Sequence, residues 1–148
     1  MRVYVPATLA TLRRLVDAGQ LAPAPFPAFA VTAALRAAYG GDDQEELEYA
    51  ATIEAARESL RLLADDLSAP RRRLVLAADA PDDAVRPGTG PGEVTVARAV
   101  PYDRIASALA DEPDAEPDVR AALDGDAERV EERQLLWYAR QELPNLLC

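Results

Sequence analysis

One segment near the middle of the chain carries a clear amphipathic pattern. Apolar residues recur there at intervals of three or four, at Tyr49, Ile53, Ala56, Leu60, Leu63 and Leu67. Charged side chains occupy positions between them, and Asp43 with Glu46 three residues later matches a helix-capping box. The pattern predicts a long helix over residues 44–66 whose apolar stripe packs on the core.

Shorter helices are indicated by capping residues at their starts and by glycine or proline at their ends. Thr8 and Thr32 each precede an apolar-rich stretch and can cap a helix through the side-chain hydroxyl. The predicted helices run from Thr8 to Gly19, from Ala33 to Tyr39, from Pro117 to Gly125 and from Glu128 to Leu143. Pro144 stops the last of them.

Short apolar or alternating segments predict the strands, which are Arg2–Pro6, Phe29–Thr32, Arg73–Ala78, Val94–Val100 and Ile105–Ala110. The last of these also fits a helix, but a strand antiparallel to the one before it is favoured. A helix between the first two strands makes a parallel β-α-β unit. We therefore predict an α+β fold with a mixed sheet of four or five strands, the alternative being a fully wound α/β sandwich. One domain is expected over residues 1–143, followed by a tail over residues 144–148.

The composition excludes much familiar catalytic chemistry. The chain of 148 residues contains no histidine and no lysine, and all 16 basic residues are arginine. A Schiff base, a P-loop lysine and a histidine general base are therefore excluded. No serine lies in a Gly-x-Ser-x-Gly elbow, and the run from Asp124 lacks the glycine and glutamate of a calcium loop. We accordingly favour a non-enzymatic role, with no catalytic residue, no metal site and no cofactor.

The net charge of −10 limits the partners. An acidic surface repels nucleic acid and anionic membranes, so neither is expected to bind. No secretory signal is visible, the apolar runs are too short for a membrane helix, and the single cysteine, Cys148, cannot form an internal disulfide. These features predict a cytoplasmic protein. Cys148 is either a frayed terminal residue or a thiol that reacts or forms an intermolecular disulfide.

A basic run, Arg71–Arg73, precedes one predicted strand. We interpret it as a solvated strand entrance that balances Asp65 and Asp66. The alternative is a contact for an anion or an acidic partner, because guanidinium groups match carboxylates and phosphates.

The carboxyl ends of the predicted parallel strands indicate a ligand site. Ligands of open parallel sheets bind in the crevice beyond these ends, where this chain carries Thr8, Thr32 and Asp79. Both threonines also lie at predicted helix N-termini, whose free amides attract anions. Capping is the ordinary use of such threonines, so the favoured interpretation is that both only cap helices and that Asp79 only ends a strand. The alternative is a small anionic ligand bound at these three residues.

The segment Leu135–Ala139 is apolar at five consecutive positions. In a helix such a run covers the whole circumference, so the predicted last helix is either buried in the monomer or leaves an apolar surface. Val130 and Trp137 form one stripe of that helix, with Tyr138 beside it. Burial of this segment within the monomer is favoured, because a lone tryptophan is usually part of the core. The alternative is that these three residues form the interface to a protein partner or to a second copy in a homodimer, because exposed aromatic residues anchor interfaces.

Several segments are distinctive in combination, namely Met1–Thr8, Glu46–Ala51, Arg72–Asp79, Ala115–Val119 and Leu135–Ala139. With them the chain resembles a family of uncharacterised actinobacterial proteins over residues 1–143. The resemblance implies a stand-alone cytosolic domain and carries no activity, ligand or site residue. Two hypotheses stay open: a non-catalytic binding or protein-interaction domain, and an enzyme or ligand-binding protein that uses carboxylates and arginines around an anion or a divalent metal.

Overall fold

The structure, a computed structural model, describes residues 1–147 and is built around an antiparallel sheet. The strands are β1 Arg2–Ala7, β2 Gln20–Leu21, β3 Phe26–Phe29, β4 Leu74–Asp79, β5 Val85–Pro87, β6 Glu93–Val96, β7 Val100–Pro101, β8 Ile105–Ala110 and β9 Leu136–Ala139. Seven of them form one sheet in the order β5-β6-β3-β1-β4-β8-β9, and β2 pairs separately with β7. All neighbouring strands are antiparallel.

Helices cover both faces of this sheet, which confirms the α+β class. They are α1 Leu9–Ala18, α2 Ala33–Tyr39, α3 Gln44–Ala64, α4 Glu116–Leu123 and α5 Glu128–Glu131. A 3₁₀ helix, Arg140–Leu147, follows β9, and shorter 3₁₀ turns lie at Asp82–Ala84, Tyr102–Arg104 and Pro113–Ala115. We call the two sides of the sheet the α1 face and the α3 face.

Apolar side chains alternate between the two faces along each strand. On the α1 face, Leu12 and Leu143 pack against the strands in the largest buried cluster. On the α3 face, Leu35 and Leu47 pack over the middle strands. A smaller cluster joins the end of α3 to α4 and α5. The main core is therefore in two layers, one on each side of β1 and β4.

The predicted capping residues are confirmed. The Thr8 hydroxyl accepts a hydrogen bond from the Thr11 amide, and the Thr11 hydroxyl accepts one from the Thr8 amide, so α1 begins with a capping box. Thr32 caps α2 through the Leu35 amide, and Asp43 caps α3. Gly19 ends α1 with a φ of 74°, a conformation that costs glycine little.

The predicted parallel β-α-β start is wrong, and with it the mixed sheet and the α/β alternative. The strand that follows α1 in the sheet is Phe26–Phe29, rather than residues 29–32, and it runs antiparallel to β1. The reason lies in residues 20–25. There β2 and a proline-rich stretch return the chain along the sheet after α1. As a result β3 begins at the end of the sheet where β1 ends, and it runs in the opposite direction.

The predicted last helix over Glu128–Leu143 is also wrong. The helix stops after one turn at Glu131, and Leu136–Ala139 continues as strand β9 at the edge of the sheet. Aromatic residues such as Trp137 and Tyr138 favour strands, and short apolar runs do not distinguish a strand from a buried helix. Within the expected tail, residues 144–147 belong to a 3₁₀ helix, and Leu146 lies buried on the α1 face.

The remaining differences concern register and pairing. Ile105–Ala110 is a strand as favoured, but its partners are β4 and β9 and not the segment at 94–100. In α3 the buried positions are mostly alanines, while Tyr49 is 60% exposed and Leu67, beyond the helix, is 85% exposed. The predicted stripe therefore marks the buried side in the second half of the helix, at Ala56, Leu60 and Leu63, but not at Tyr49.

Candidate interaction edge at the last strand

The structure does not bring the three predicted ligand residues together. Thr8 follows Ala7, which pairs with Leu74 at the start of β4, whereas Asp79 ends β4 and pairs with Arg2. Thr8 and Asp79 thus lie at opposite ends of the sheet. Thr32 donates its hydroxyl proton to the carbonyl of Pro91 and caps α2. A ligand crevice beyond the carboxyl ends of strands requires parallel strands, and the paired strands within residues 1–147 are all antiparallel.

Asp79 belongs to a polar group at one end of the α3 face. Its carboxylate accepts a hydrogen bond from Arg2 Nε at 2.8 Å, and this bond is the main cause that raises the Arg2 pKa. Tyr4 lies next to this pair and is buried; burial, followed by the nearby Glu48 carboxylate, raises the pKa of its hydroxyl. Tyr4 is therefore protonated at neutral pH and cannot serve as a base there.

The carboxyl groups whose pKa departs from the ordinary value do not fit a general acid. The pKa of Glu93 is lowered by hydrogen bonds from the Thr89 hydroxyl and the Gly90 amide, and that of Asp66 by Ser68. A carboxylic acid that donates a proton at neutral pH needs a raised pKa. Within residues 1–147 no group of side chains could hold a metal ion, and no buried side-chain polar atom lacks a hydrogen-bond partner.

The basic run at residues 71–73 turns inward, which corrects the prediction of a solvated strand entrance. Arg71 is buried and donates to the carbonyls of Leu63 and Asp66 at 2.8 and 3.0 Å. Arg73 forms a buried ion pair with Asp111, with Nε–Oδ2 and Nη2–Oδ1 distances of 2.9 and 2.8 Å. These guanidinium groups are occupied by the protein itself and are not open to an external anion.

Asp111 is the centre of this network. Its carboxylate also accepts from the Arg73 amide at 2.9 Å, and its backbone carbonyl accepts from Arg72 Nε and Nη2 at 2.9 and 2.7 Å. The network ties the beginning of β4 to the segment that leaves β8. It continues through Arg73 Nη2, which contacts the Arg133 carbonyl at 3.4 Å.

Arg133 and Arg129 fix the chain just before β9. Both donate to the Asp118 carboxylate of α4, Arg129 through Nη2 at 2.7 Å. Hydrogen bonds from Arg133, then from Arg129, lower the Asp118 pKa. Since Gln134 and Leu135 alone separate Arg133 from β9, this Arg–Asp network anchors the segment that delivers the last strand to the sheet edge.

The predicted interface residues do not share one surface. Val130 is buried in the cluster between α3, α4 and α5. Tyr138 pairs with Ala108 and packs on the α1 face, whereas Trp137 pairs with Leu109 on the α3 face and is 63% exposed. Trp137 therefore remains the exposed member of the set, and Leu136, also exposed, lies on the opposite face of the strand.

The two edges of the sheet differ in a way that matters for binding. At one edge, β5 has three residues, among them exposed Arg86 and Pro87, which has no N–H to donate. At the other edge, β9 consists of Leu136–Ala139 and carries neither charge nor proline. In the described part of the chain, no strand pairs with β9 on its outer side. Proteins commonly protect sheet edges with charges, prolines or short strands; β9 is short, with four residues, but has neither a charge nor a proline.

A second exposed aromatic feature lies on α2 and α3. Tyr39 and Tyr49 line a shallow groove with a volume of about 640 Å³, together with Glu45, Glu46 and other acidic residues. Its polar side chains are all exposed to solvent. Such a groove lacks the desolvated, preorganised polar groups from which active sites are built.

Comparison with known proteins identifies the family without a function. Residues 1–147 match DUF6912, a family of unknown function. The chain belongs to this family. No curated protein and no solved structure matches it. In the DUF6912 chain, no helix within residues 1–147 is long and apolar enough to cross a membrane.

Sequence reasoning singled out Trp137 but missed the edge strand that carries it. The signal was the run Leu135–Ala139 itself, since an aromatic pair flanked by apolar residues is typical of a strand. The Arg–Asp network that anchors this strand could not be read from the sequence. Asp111 lies 38 positions from Arg73, and only the pairing of β4 with β8 brings them together.

Proposed function

We propose that this chain is a non-catalytic protein-interaction domain that binds by adding a strand to β9. The observation that carries the proposal is the outer edge of β9, which is apolar, uncharged and free of proline, next to the exposed Trp137 ring. An extended segment can pair its backbone with such an edge, while pockets and rings on either face select its side chains. The partner strand is apolar, to match Leu136 and Trp137.

The absence of suitable catalytic groups supports a binding role over an enzymatic one. The chain has no histidine or lysine, and the shifted carboxyl pKa values of Asp66, Glu93 and Asp118 are all lowered. The buried arginines bind carbonyls and Asp111 of the same chain. The single cysteine fits a reducing compartment, so we propose the cytoplasm as the place where the domain acts. Cys148 lies outside the described residues.

A strand-shaped probe tests the proposal. A peptide with the sequence of residues 134–141 contains an apolar strand of the required kind and is titrated into the ¹⁵N-labelled protein. Amide shift changes are expected at β9 and β8, with little change at β5. The matched control is the same peptide with Leu136→Pro and Trp137→Pro. This removes one donor from each of the two alternating sets of backbone amides and should abolish the shifts.

Two results would overturn the proposal. One is the absence of shift changes at β9 when the peptide reaches about 1 mM, the concentration range of weak binding. The other is an equal response to the proline peptide, because binding would then not depend on strand pairing. A melting temperature raised by phosphate, Mg²⁺ or Ca²⁺ in the same protein would instead favour a ligand-binding function.

A further inference from the structure

We infer that the strand bound at β9 is the β9 strand of a second copy of this chain, aligned on a twofold axis beside Trp137. The inference rests on the proposed function and names the partner of that edge. It follows from the order of residues in one short segment, Leu135–Ala139, and from the hydrogen-bonding geometry of antiparallel strands.

Antiparallel pairing restricts how a strand can meet its own copy. Two residues that face each other either both direct their N–H and C=O groups at the partner or both direct them away. A strand paired with its own copy must therefore have its twofold axis beside a residue. An axis between two residues would place a residue whose N–H and C=O groups point at the partner opposite a residue whose groups point away. Leu136, Trp137 and Tyr138 are the central choices for the axis in β9.

Of these three positions, Trp137 gives a fully apolar alignment. With the axis there, Trp137 faces Trp137 of the second copy, Leu136 faces Tyr138, and Leu135 faces Ala139. Cross-strand aromatic and aliphatic pairs of this kind stabilise antiparallel sheets. The two tryptophan rings lie on the α3 face of both copies, because residues opposite each other in a sheet project to the same side.

The neighbouring alignments are worse. An axis beside Leu136 sets Gln134 against Tyr138 and Arg133 against Ala139, although Arg133 is held by Asp118. An axis beside Tyr138 sets Leu136 against Arg140, whose guanidinium donates to the carbonyls of Asp103 and Ile105. The apolar run is thus centred on Trp137, and in this alignment a second copy sets an apolar residue against an apolar residue at all five positions.

Charge points to the same surface. Two chains with a net charge of −10 repel one another over most of their surfaces. The segment Leu135–Ala139 contains no charged residue, so it is a place where two copies can approach without like charges in contact. Five residues on each side make a small interface, and interfaces below the usual size are weak and transient. The dimer should therefore depend on concentration.

Sedimentation velocity over a concentration series up to about 1 mM tests the inference. The wild-type chain should shift from monomer toward dimer. Trp137→Glu should weaken association about tenfold or more, because it sets two carboxylates opposite each other. Tyr49→Glu is the matched control. It adds the same charge at another exposed aromatic residue, in the groove lined by α2 and α3, and should associate like the wild type.

A mixture of two variants tests the alignment itself. Trp137→Glu and Trp137→Arg each repel their own copies, but they attract one another if position 137 faces position 137. The mixture should associate more strongly than either variant alone. Leu136→Glu, which would face Tyr138, is a second disruptive variant should Trp137→Glu fail to fold, as judged by circular dichroism.

The outcomes separate this inference from the proposed function. A wild-type chain that stays monomeric at the highest concentration overturns the inference, as does a Glu–Arg mixture that shows no gain. If the peptide of residues 134–141 still shifts the β9 amides in that case, strand binding at β9 stands and the partner is another protein. If neither the chain nor the peptide binds, both proposals fail.

Discussion

The Asp111→Ala substitution should cost a large part of the stability of this domain. The Asp111 side chain is 1% exposed and accepts three hydrogen bonds from Arg73, from its amide, Nε and Nη2. Its removal leaves a buried guanidinium whose remaining acceptor is the Arg133 carbonyl at 3.4 Å. Breaking a buried ion pair in this way costs about 3–5 kcal/mol, against a total of about 5–15 kcal/mol for a typical domain.

Asp83→Ala is the matched control for this substitution. Asp83 also pairs with an arginine, Arg98, but its side chain is 80% exposed and that of Arg98 is exposed as well. Exposed pairs contribute about 0–1 kcal/mol, because water solvates the separated charges. The two variants therefore make the same chemical change and differ in the burial of the pair.

Urea unfolding followed by far-UV circular dichroism is the appropriate assay. Trp137 is a poor probe, since its ring is already exposed in the folded state. With a slope of about 2 kcal/mol per molar urea, Asp111→Ala should lower the midpoint by about 2 M, and Asp83→Ala should leave it nearly unchanged. Similar midpoints for the two variants would refute the reasoning. The double variant Arg73→Met with Asp111→Leu should recover stability relative to Asp111→Ala, because it buries no charge.

Two further predictions concern other polar contacts. The buried Ser59 hydroxyl accepts from the Leu74 amide at 2.9 Å, so Ser59→Ala should cost about 1–3 kcal/mol in urea unfolding, whereas exposed Ser68→Ala should cost little; equal losses would contradict this role. Arg133→Gln should raise the Asp118 pKa toward its ordinary value in a carboxyl NMR titration, and an unmoved pKa would contradict the assignment. Because the folded-state pKa of Asp118 is lowered, its contribution to stability is present above the unfolded pKa and is lost as the pH falls through the folded value; in the variant this acid dependence should be weaker.

The sequence predicted those features that depend on neighbouring residues. The start of α3 follows from the side chain of Asp43, and the end of α1 follows from Gly19, so both were predicted closely. The strand at Ile105–Ala110 was favoured correctly from its composition, and α4 lies close to its predicted position. In each case the determining contacts lie within one or two turns of the chain.

The features that sequence reasoning missed depend on distant contacts. The direction of β3 relative to β1 is set by the path of residues 20–25, and hydrophobic periodicity carries no information about that path. The buried face of α3 is set by how closely alanines approach the sheet, so Tyr49 was assigned to the wrong side. The inward orientation of Arg73 depends on Asp111 in another strand segment.

The candidate site shows the same division. The sequence favours burial of Trp137 on a helix that places Val130 beside it, whereas the structure exposes Trp137 on a strand and buries Val130 in the cluster between α3, α4 and α5. Thr8, Thr32 and Asp79 were grouped on the assumption of parallel strands, and antiparallel pairing separates Thr8 from Asp79. Both sets of predicted site residues were therefore separated by errors in the predicted secondary structure or topology.

Isotope-filtered NMR on an equimolar mixture of labelled and unlabelled chain, at about 1 mM, tests strand pairing at β9 most directly. Facing residues of antiparallel strands bring backbone protons close together. The account predicts intermolecular contacts between Trp137 and Trp137 of the second copy, and between Leu136 and Tyr138. Intermolecular contacts that arise from another surface while β9 shows none would contradict it.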